Sequence, residues 1–152
     1  MANILIRGCP GTGKTFLARA VAYYMCSGLS EEQAFHSQAI NDLAAINQFF
    51  EDGEYCEFIQ VHPSMEYDDI VYGLQVSAGG NLSLSFAEKR VMQLCNRANG
   101  KTEKYAVVFD DINRAKAGNL LGNLLYAMEY RDQDIPLPNG NVMCIPANVI
   151  LI

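Results

Sequence analysis

The feature that most constrains the fold is a glycine-rich stretch near the start of the chain, Gly8-Cys9-Pro10-Gly11-Thr12-Gly13-Lys14-Thr15. It fits the phosphate-binding loop pattern G-x-x-x-x-G-K-[ST] at every fixed position. Apolar residues 4–6 precede it, and apolar residues keep helical spacing after it. The pattern therefore predicts a buried strand, a glycine turn and a helix, which is the context that the motif needs. A glycine-rich turn that matches by chance is the alternative, but it leaves the flanking strand and helix unexplained.

The chemistry of this loop gives its residues expected roles. Glycines let successive backbone N–H groups curve around an anion, because a Cβ would block the tight turn or the approach of phosphate. The start of a helix also favours negative charge. We expect Lys14 to reach the β- and γ-phosphates and the Thr15 hydroxyl to be a ligand of Mg²⁺. The residues predicted to bind the nucleotide are Gly8, Pro10, Gly11, Thr12, Gly13, Lys14, Thr15 and Phe16.

Composition narrows the class of protein. A chain of 152 residues that is 50% hydrophobic is of single-domain size and can bury a core. Its 17 acidic and 11 basic residues give a net charge of -6, which offers no general attraction for nucleic acid. The five cysteines form no C-x-x-C pair, so neither a disulfide framework nor a zinc site is predicted. Neither a membrane helix nor a signal peptide is indicated, and we expect a cytoplasmic protein.

Strands alternate with helices along the chain, which predicts a three-layer α/β fold around a parallel sheet. The unbroken apolar run from Tyr105 to Phe109 suits the middle of such a sheet. The predicted strands are 4–6, 56–61, 105–109 and 148–152. The predicted helices are 14–27, 30–52, 64–73, 86–98 and one that carries Leu120 to Met128. Hairpins are expected at 79–84 and 135–145. Ser30 is the expected N-cap of the second helix, with a break near Ser37, and Gly73 is the expected stop of the third.

A pair of carboxylates follows the apolar strand. We expect Asp110 to hold Mg²⁺, through water, opposite Thr15. Asp111 would orient or deprotonate the attacking water, so Asp111 and Lys14 are the predicted catalytic residues. Acidic pairs also occur on ordinary surface loops, but this pair ends a buried strand in a chain that has an intact phosphate loop.

These residues belong to a longer resemblance. Phe109-Asp110-Asp111-Ile112-Asn113-Arg114-Ala115 resembles the D-E-I-N-R-A signature of AAA+ proteins of the McrB type, the GTP-hydrolysing motor subunits of modification-dependent restriction systems. Residues 58–64 (FIQVHPS) and 67–73 (YDDIVYG) are similar to that family's F-x-x-x-H-P-S and Y-x-D-F-x-x-G. Residues 125–129 (LYAME) resemble its L-x-x-x-L-E segment, and residues 145–152 resemble its sensor 1 strand. The resemblance covers nearly the whole chain.

The resemblance implies a three-layer P-loop NTPase fold, an AAA+ core whose parallel strands have the order 1-4-3-2. Residues 1–152 would form a partial core that ends at the sensor 1 strand, with the fifth strand and the helical lid beyond Ile152. Residues 3–7 would then be an apolar sheet edge. It also implies Mg²⁺-dependent hydrolysis of ATP or GTP by a homo-oligomeric ring, a hexamer, that serves a nuclease subunit and contacts DNA indirectly or through other domains.

Other interpretations remain open at this point. The family usually has Glu at the position of Asp111, and a misplacement of about one ångström can cost about a hundredfold in rate. A MoxR-like AAA+ chaperone and a nucleotide-binding module without turnover are therefore the alternatives. Asn113 and Arg114 are expected at a subunit interface or facing the γ-phosphate, and Asn113 could instead be an ordinary N-cap. A structural role at the end of its strand is expected for His62.

Overall fold

The computed structural model describes residues 3–30, 42–79, 81–137 and 140–152. The helices are α1 (Lys14–Cys26), α2 (Leu43–Asp52), α3 (Tyr67–Ile70), α4 (Arg90–Ala98), α5 (Ala117–Leu121) and α6 (Leu124–Glu129), with a 3₁₀ turn at Ile112–Arg114. The strands are β1 (Cys56–Gln60), β2 (Tyr72–Gly79), β3 (Asn81–Glu88), β4 (Tyr105–Asp110), β5 (Ile135–Pro136), β6 (Val142–Met143) and β7 (Val149–Leu151). Among the described residues, no helix is long and apolar enough to cross a membrane.

A parallel sheet with the order β1-β4-β7 lies at the centre of the fold. Side chains of the middle strand alternate between its two faces, and four of them are buried. Tyr105 and Val107 enter the larger core beneath α4, α5 and α6, whereas Ala106 and Val108 enter a smaller core beneath α1 and α2. Because β4 is covered on both faces, the predicted three-layer α/β architecture is confirmed.

The prediction of a regular strand at residues 4–6 is wrong. Residues 3–7 run beside β7, and the Ile4 amide donates to the Leu151 carbonyl at 2.9 Å, but this segment is not part of the sheet ladder. Leu5 is 76% exposed rather than buried. The segment has a backbone neighbour on the β7 side, and in the described part of the chain no strand pairs with it on the other side. The backbone bond from Ile4 joins the segment to β7 without making it a regular strand.

The first helix matches its prediction, and the described part of the second predicted helix is also helical. Helix α1 ends at Cys26, one residue before the predicted end, and places Ala18 and Ala22 close to the sheet. Helix α2 begins at Leu43 because the Asp42 carboxylate accepts hydrogen bonds from the Ala44 and Ala45 amides, both at 3.1 Å. The predicted break near Ser37, the first turn after Ser30 and the residues between lie outside the described residues.

The hairpin β2–β3 is longer than predicted and replaces the start of a predicted helix. Its register pairs Tyr72 with Glu88 and Leu74 with Phe86, so helix α4 starts at Arg90 rather than at Phe86. Gly73 lies in β2 and does not end α3. A Cβ on Gly73 would lie 2.2 Å from the Asp68 carbonyl oxygen, so glycine is needed there for a close backbone approach.

The helix predicted after the acidic pair is two short helices. Gly122 separates α5 from α6 with a φ of 45°, and the ring of Tyr67 packs 2.9 Å from the position that a Cβ would take. The second hairpin is confirmed at β5–β6, although its tip at Pro138 and Asn139 lies outside the described residues. The last predicted strand is confirmed as β7.

Candidate nucleotide-binding site

The glycine-rich loop joins residues 3–7 to helix α1 and is exposed along its length. Gly11 and Gly13 have φ values of 76° and 80°, a backbone conformation that side chains with a Cβ rarely adopt. Gly13 is also the N-cap of α1, and its carbonyl accepts the first helical bond, from Leu17 at 2.9 Å. The amides of the first helical turn have no partner within the helix, which is the feature that lets a helix start bind an anion.

Two side chains of the loop bond to the same backbone carbonyl. Lys14 Nζ donates to the Cys9 oxygen at 2.7 Å, and Thr12 Oγ1 donates to it at 2.8 Å. These bonds fold the lysine back over the loop. An ammonium group has three N–H donors, so the bond to Cys9 leaves donors for an anion. A Cβ on Gly8 would lie 3.2 Å from Thr12 Oγ1, which explains a glycine at the first position of the loop.

The loop and the acidic end of β4 meet through a direct hydrogen bond. Thr15 Oγ1 donates to Asp110 Oδ1 at 2.9 Å, across 95 residues of sequence. The backbone of Asp110 is fixed from one side, because its carbonyl accepts from the Val61 amide at 3.0 Å. The Phe109 amide donates to the Ile152 carbonyl at 2.8 Å on the other side. The two predicted Mg²⁺ ligands therefore lie next to each other, and the role of each stays a prediction.

The second acid of the pair is held differently. Asp111 has a φ of 56°, a left-handed conformation that is uncommon outside glycine, and it starts the 3₁₀ turn Ile112–Arg114. Its Oδ2 forms an ion pair with Arg114 Nη2 at 2.7 Å, and its carbonyl accepts from the Arg114 amide at 2.8 Å. Strained backbone of this kind persists only where the surroundings hold it, and it is common at functional sites. This ion pair was not among the predicted contacts, although an acid and a base three residues apart are the signal that the sequence offers.

A cavity of about 350 Å³ brings the charged residues together. Lys14, Asp110, Asp111 and Asn113 contribute to its lining, and so do apolar residues of segment 3–7, of α5 and of α6. This volume is within the range of small-molecule sites, about 300–1,000 Å³. Asn113 is exposed inside the 3₁₀ turn, so the alternative that it is an N-cap is wrong.

The remaining predicted residues divide between the loop and its surroundings. Pro10 and Phe16 are exposed, Pro10 on the loop and Phe16 in the first turn of α1. His62 Nδ1 pairs with Ser64 Oγ at 2.8 Å in the turn after β1, which is a structural contact.

The oxygen ligands at the loop fit a magnesium ion. A threonine hydroxyl and a carboxylate 2.9 Å apart are the hard donors that Mg²⁺ takes, together with water and phosphate oxygens. Among the described residues, no group of three His, Cys, Asp or Glu side chains could hold a metal by itself. A protein cage is not required, because Mg²⁺ is usually bound by one or two protein ligands plus the phosphates.

Comparisons with known proteins agree with this geometry. Residues 3–151 match the family model of the AAA domain, dynein-related subfamily. The chain is 30% identical over 131 residues to the type IV methyl-directed restriction enzyme EcoKMcrB subunit of Escherichia coli strain K12. The match covers 84% of this chain but only 23% of that relative's length. The resemblance to McrB-type proteins is thereby confirmed, and the chain belongs to the dynein-related subfamily of AAA domains, a family of nucleotide-binding P-loop proteins.

Proposed function

We propose that this chain binds a nucleoside triphosphate with Mg²⁺ at the Gly8–Thr15 loop and hydrolyses its γ-phosphate. The observation that carries the proposal is the Thr15–Asp110 hydrogen bond of 2.9 Å. It joins the phosphate-binding loop to the acidic end of the central strand, so one ion and one triphosphate can contact both. Family membership supports nucleotide binding in general. Titration with each nucleotide distinguishes ATP from GTP as the substrate.

The residues present divide the work among them. The loop amides and Lys14 would hold the β- and γ-phosphates, and Thr15 and Asp110 would hold the metal. When bound, Mg²⁺ supplies positive charge that offsets the charge of the phosphate oxygens. Asp111 would accept a hydrogen bond from the water that attacks in line with the bond to the leaving group, and would take its proton.

The ion pair of Asp111 with Arg114 bears on turnover. Asp111 is one methylene shorter than the glutamate usual in McrB-type motifs, and its Oδ2 is already engaged by Arg114 at 2.7 Å. To orient a water molecule, the Asp111 carboxylate must either accept a hydrogen bond from it while still paired with Arg114 or separate from Arg114. Arg114 would then be free for the γ-phosphate, a doubly charged and stronger partner. This arrangement also supports a second candidate function, a nucleotide-binding module without turnover.

The cellular role that we propose follows the relative. Its name describes a subunit of a methyl-directed restriction enzyme. By analogy, this chain would be part of the motor subunit of an McrBC-like modification-dependent restriction system. It would work as a homo-oligomeric ring, a hexamer, beside a nuclease subunit, and would contact DNA indirectly. Residues Asn113 and Arg114, both exposed beside the candidate site, would be available to a neighbouring subunit.

Calorimetric titration tests binding. ATP and GTP, each with Mg²⁺, are titrated into the wild-type chain and into Lys14→Ala, which removes a charge-assisted contact and should weaken binding about tenfold to a hundredfold. Repeating the titration with EDTA should weaken wild-type binding as well. The matched control is Lys116→Ala, an exposed lysine outside the loop. Equal affinity of the wild type and Lys14→Ala would refute the proposed site.

Phosphate release separates the two candidates. If the chain hydrolyses nucleotide, Asp111→Asn should bind normally and release phosphate about a hundredfold more slowly. If it is a binding module, the wild type should bind and release none. Phosphate release that begins only in Arg114→Ala would identify a hydrolase held back by the ion pair, and release that begins only in Asp111→Glu would identify one held back by the short side chain. Binding without release in all variants would leave the module as the function.

A further inference from the structure

The hairpin β2–β3 presents one apolar face that begins in the core and continues into solvent. Tyr72 and Leu74 are two residues apart in β2 and therefore lie on the same face. Their partners across the hairpin are Glu88 and Phe86. Tyr72 is buried, whereas Leu74 is 59% exposed and Phe86 is 55% exposed. Two large apolar side chains directly opposite each other on an open sheet face form a patch, which differs from a single exposed leucine.

A second cavity lies next to this patch. Its volume is about 430 Å³, and its lining includes Tyr67, Tyr72, Phe86 and Leu137, together with Asp68 and Asn123. The Tyr67 ring packs against Gly122, and the Tyr72 hydroxyl donates to Glu88 at 3.1 Å and lies 3.5 Å from the Val142 carbonyl oxygen. The walls are thus aromatic and held by contacts to several elements. A cavity of this size accepts one or two large side chains.

The charged residue in the lining of this cavity is an acid. Asp68 is exposed, and within the described residues its carboxylate forms no ion pair. The Glu88 carboxylate accepts hydrogen bonds from the Tyr72 hydroxyl at 3.1 Å and from the Asn96 side chain at 2.7 Å, and the side chain of Lys89 passes beside Gly73. Burial, followed by the hydrogen bond to Glu88, raises the pKa of Tyr72 to about 12. Burial and the charge of Asp68 raise the pKa of Tyr67.

We propose that this cavity and the Leu74–Phe86 patch bind a partner protein through a segment that has a bulky apolar side chain next to lysine or arginine. The apolar side chain would enter the aromatic cavity beside Phe86, and the basic residue would pair with Asp68. Protein-binding surfaces typically have aromatic side chains and few charged groups at the centre, and polar or charged groups at the rim. This cavity has that composition. The site lies outside the nucleotide-binding loop and does not depend on turnover.

Charge decides between this partner and nucleic acid. Stacking of bases on Tyr67, Tyr72 and Phe86 would need a basic groove for the phosphates. The carboxylates of Asp68 and Glu88 and the net charge of -6 oppose such a strand. A basic protein segment gains from the same charges, which also accelerate its association at low salt.

The test uses a random decapeptide library displayed on phage and selected on the immobilised wild-type chain. Phe86→Ser removes the exposed ring, and Asp68→Asn removes the rim charge at nearly constant shape. Leu43→Ser is the matched control, since Leu43 is 54% exposed on α2, which packs at the smaller core on the other face of the sheet. The thermal midpoint of each variant must stay near that of the wild type, because all three side chains are exposed.

We expect selected peptides to contain Leu, Met, Phe or Tyr within two residues of Lys or Arg. By fluorescence anisotropy, the best peptide should bind Phe86→Ser at least about tenfold more weakly. Asp68→Asn should bind it about threefold more weakly and with less dependence on salt. Leu43→Ser should bind it as the wild type does.

Four outcomes overturn the proposal. In the selection, they are a failure to enrich any peptide beyond selection on Phe86→Ser, and enrichment of acidic peptides. In the binding measurements, they are equal affinity of the best peptide for Phe86→Ser and the wild type, and tight binding of a single-stranded 20-nucleotide DNA that Phe86→Ser abolishes. Sedimentation adds a fifth, because wild-type self-association that Phe86→Ser abolishes would make a second copy of this chain the occupant.

Discussion

The two edges of the central sheet are held in different ways. At the β1 edge, Arg90 of α4 donates Nη2 to the Phe58 carbonyl at 2.8 Å and Nε to Glu57 at 2.9 Å. Arg97, two turns later, donates to Glu57 at 3.1 Å and to the Gly53 carbonyl at 3.2 Å. Guanidinium groups from the same chain thus bond to one backbone carbonyl of the edge strand and to the side chain of its Glu57.

The opposite edge has a single clamp and an exposed apolar residue. Arg131 follows α6 and donates Nη1 to the carbonyls of Pro146 and Val149, at 3.1 and 2.6 Å, and Nη2 to Asn3 Oδ1 at 2.6 Å. It therefore ties the start of segment 3–7 to β7. Leu5, two residues further along, is 76% exposed. The edge that leads into the phosphate-binding loop is thus the less protected of the two, and it is joined to β7 by Arg131 and by the Ile4–Leu151 backbone bond.

The largest expected effect is at this clamp. Arg131→Ala removes three charge-assisted bonds and leaves two backbone carbonyls without that donor, so we expect the free energy of unfolding to fall by about 2–3 kcal/mol. Burial lowers the pKa of Arg131, which agrees with a guanidinium partly removed from water. Because residues 3–7 precede the loop, nucleotide affinity should fall too. Urea denaturation and calorimetry measure the two effects.

Arg131→Lys is the control for charge. A lysine keeps the positive charge but cannot reach three acceptors with a planar fork, so it should recover less than half of the lost stability. A wild-type value in Arg131→Lys would mean that charge alone matters and that the clamp geometry does not.

The contrast between the edges also explains where the sequence was a good guide. The central strand and its acids were predictable, because an apolar run such as Tyr105 to Phe109 is buried on both faces wherever it lies in a parallel sheet. The loop and α1 were predictable because glycine, lysine and helical spacing act locally. The strand at residues 4–6 was predicted wrongly, because an apolar run does not by itself specify how the backbone pairs with a neighbouring strand, and here the Ile4–Leu151 bond and Arg131 join the segment to β7 without a regular ladder.

In the candidate site, too, some contacts could be predicted from the sequence and others could not. Thr15 and Asp110 were paired by motif, and their roles remain to be tested. The Asp111–Arg114 ion pair was not foreseen, because it depends on the left-handed backbone of Asp111, a conformation that composition does not reveal. The long hairpin was also missed, since residues 86–88 read equally well as the first turn of a helix until cross-strand pairing is known.

A smaller effect on stability is expected at the β1 edge. Arg90→Ala should lower the free energy of unfolding by about 1 kcal/mol, because its side chain is half exposed and exposed ion pairs contribute little. The loss should shrink at high salt, which screens the pair with Glu57 but not the bond to the Phe58 carbonyl. Arg90→Gln keeps a hydrogen-bond donor but no charge. In a urea titration its free energy of unfolding should lie between those of the wild type and Arg90→Ala. A loss as large as that of Arg131→Ala would mean that the edges are equally dependent on their arginines.

The smallest effect on stability is expected at Leu5. A side chain that is 76% exposed loses little on truncation, so Leu5→Ser should change the free energy of unfolding by less than about 0.5 kcal/mol. Its effect should instead be on association, because an apolar residue beside an unpaired edge favours contact with other chains. Light scattering across a concentration series should show less self-association for Leu5→Ser but not for Leu43→Ser, which is similarly apolar but lies on a helix. If Leu5→Ser instead destabilises the chain by more than about 1 kcal/mol at every concentration, Leu5 is buried in the monomer in solution, and the two edges differ less than the structure indicates.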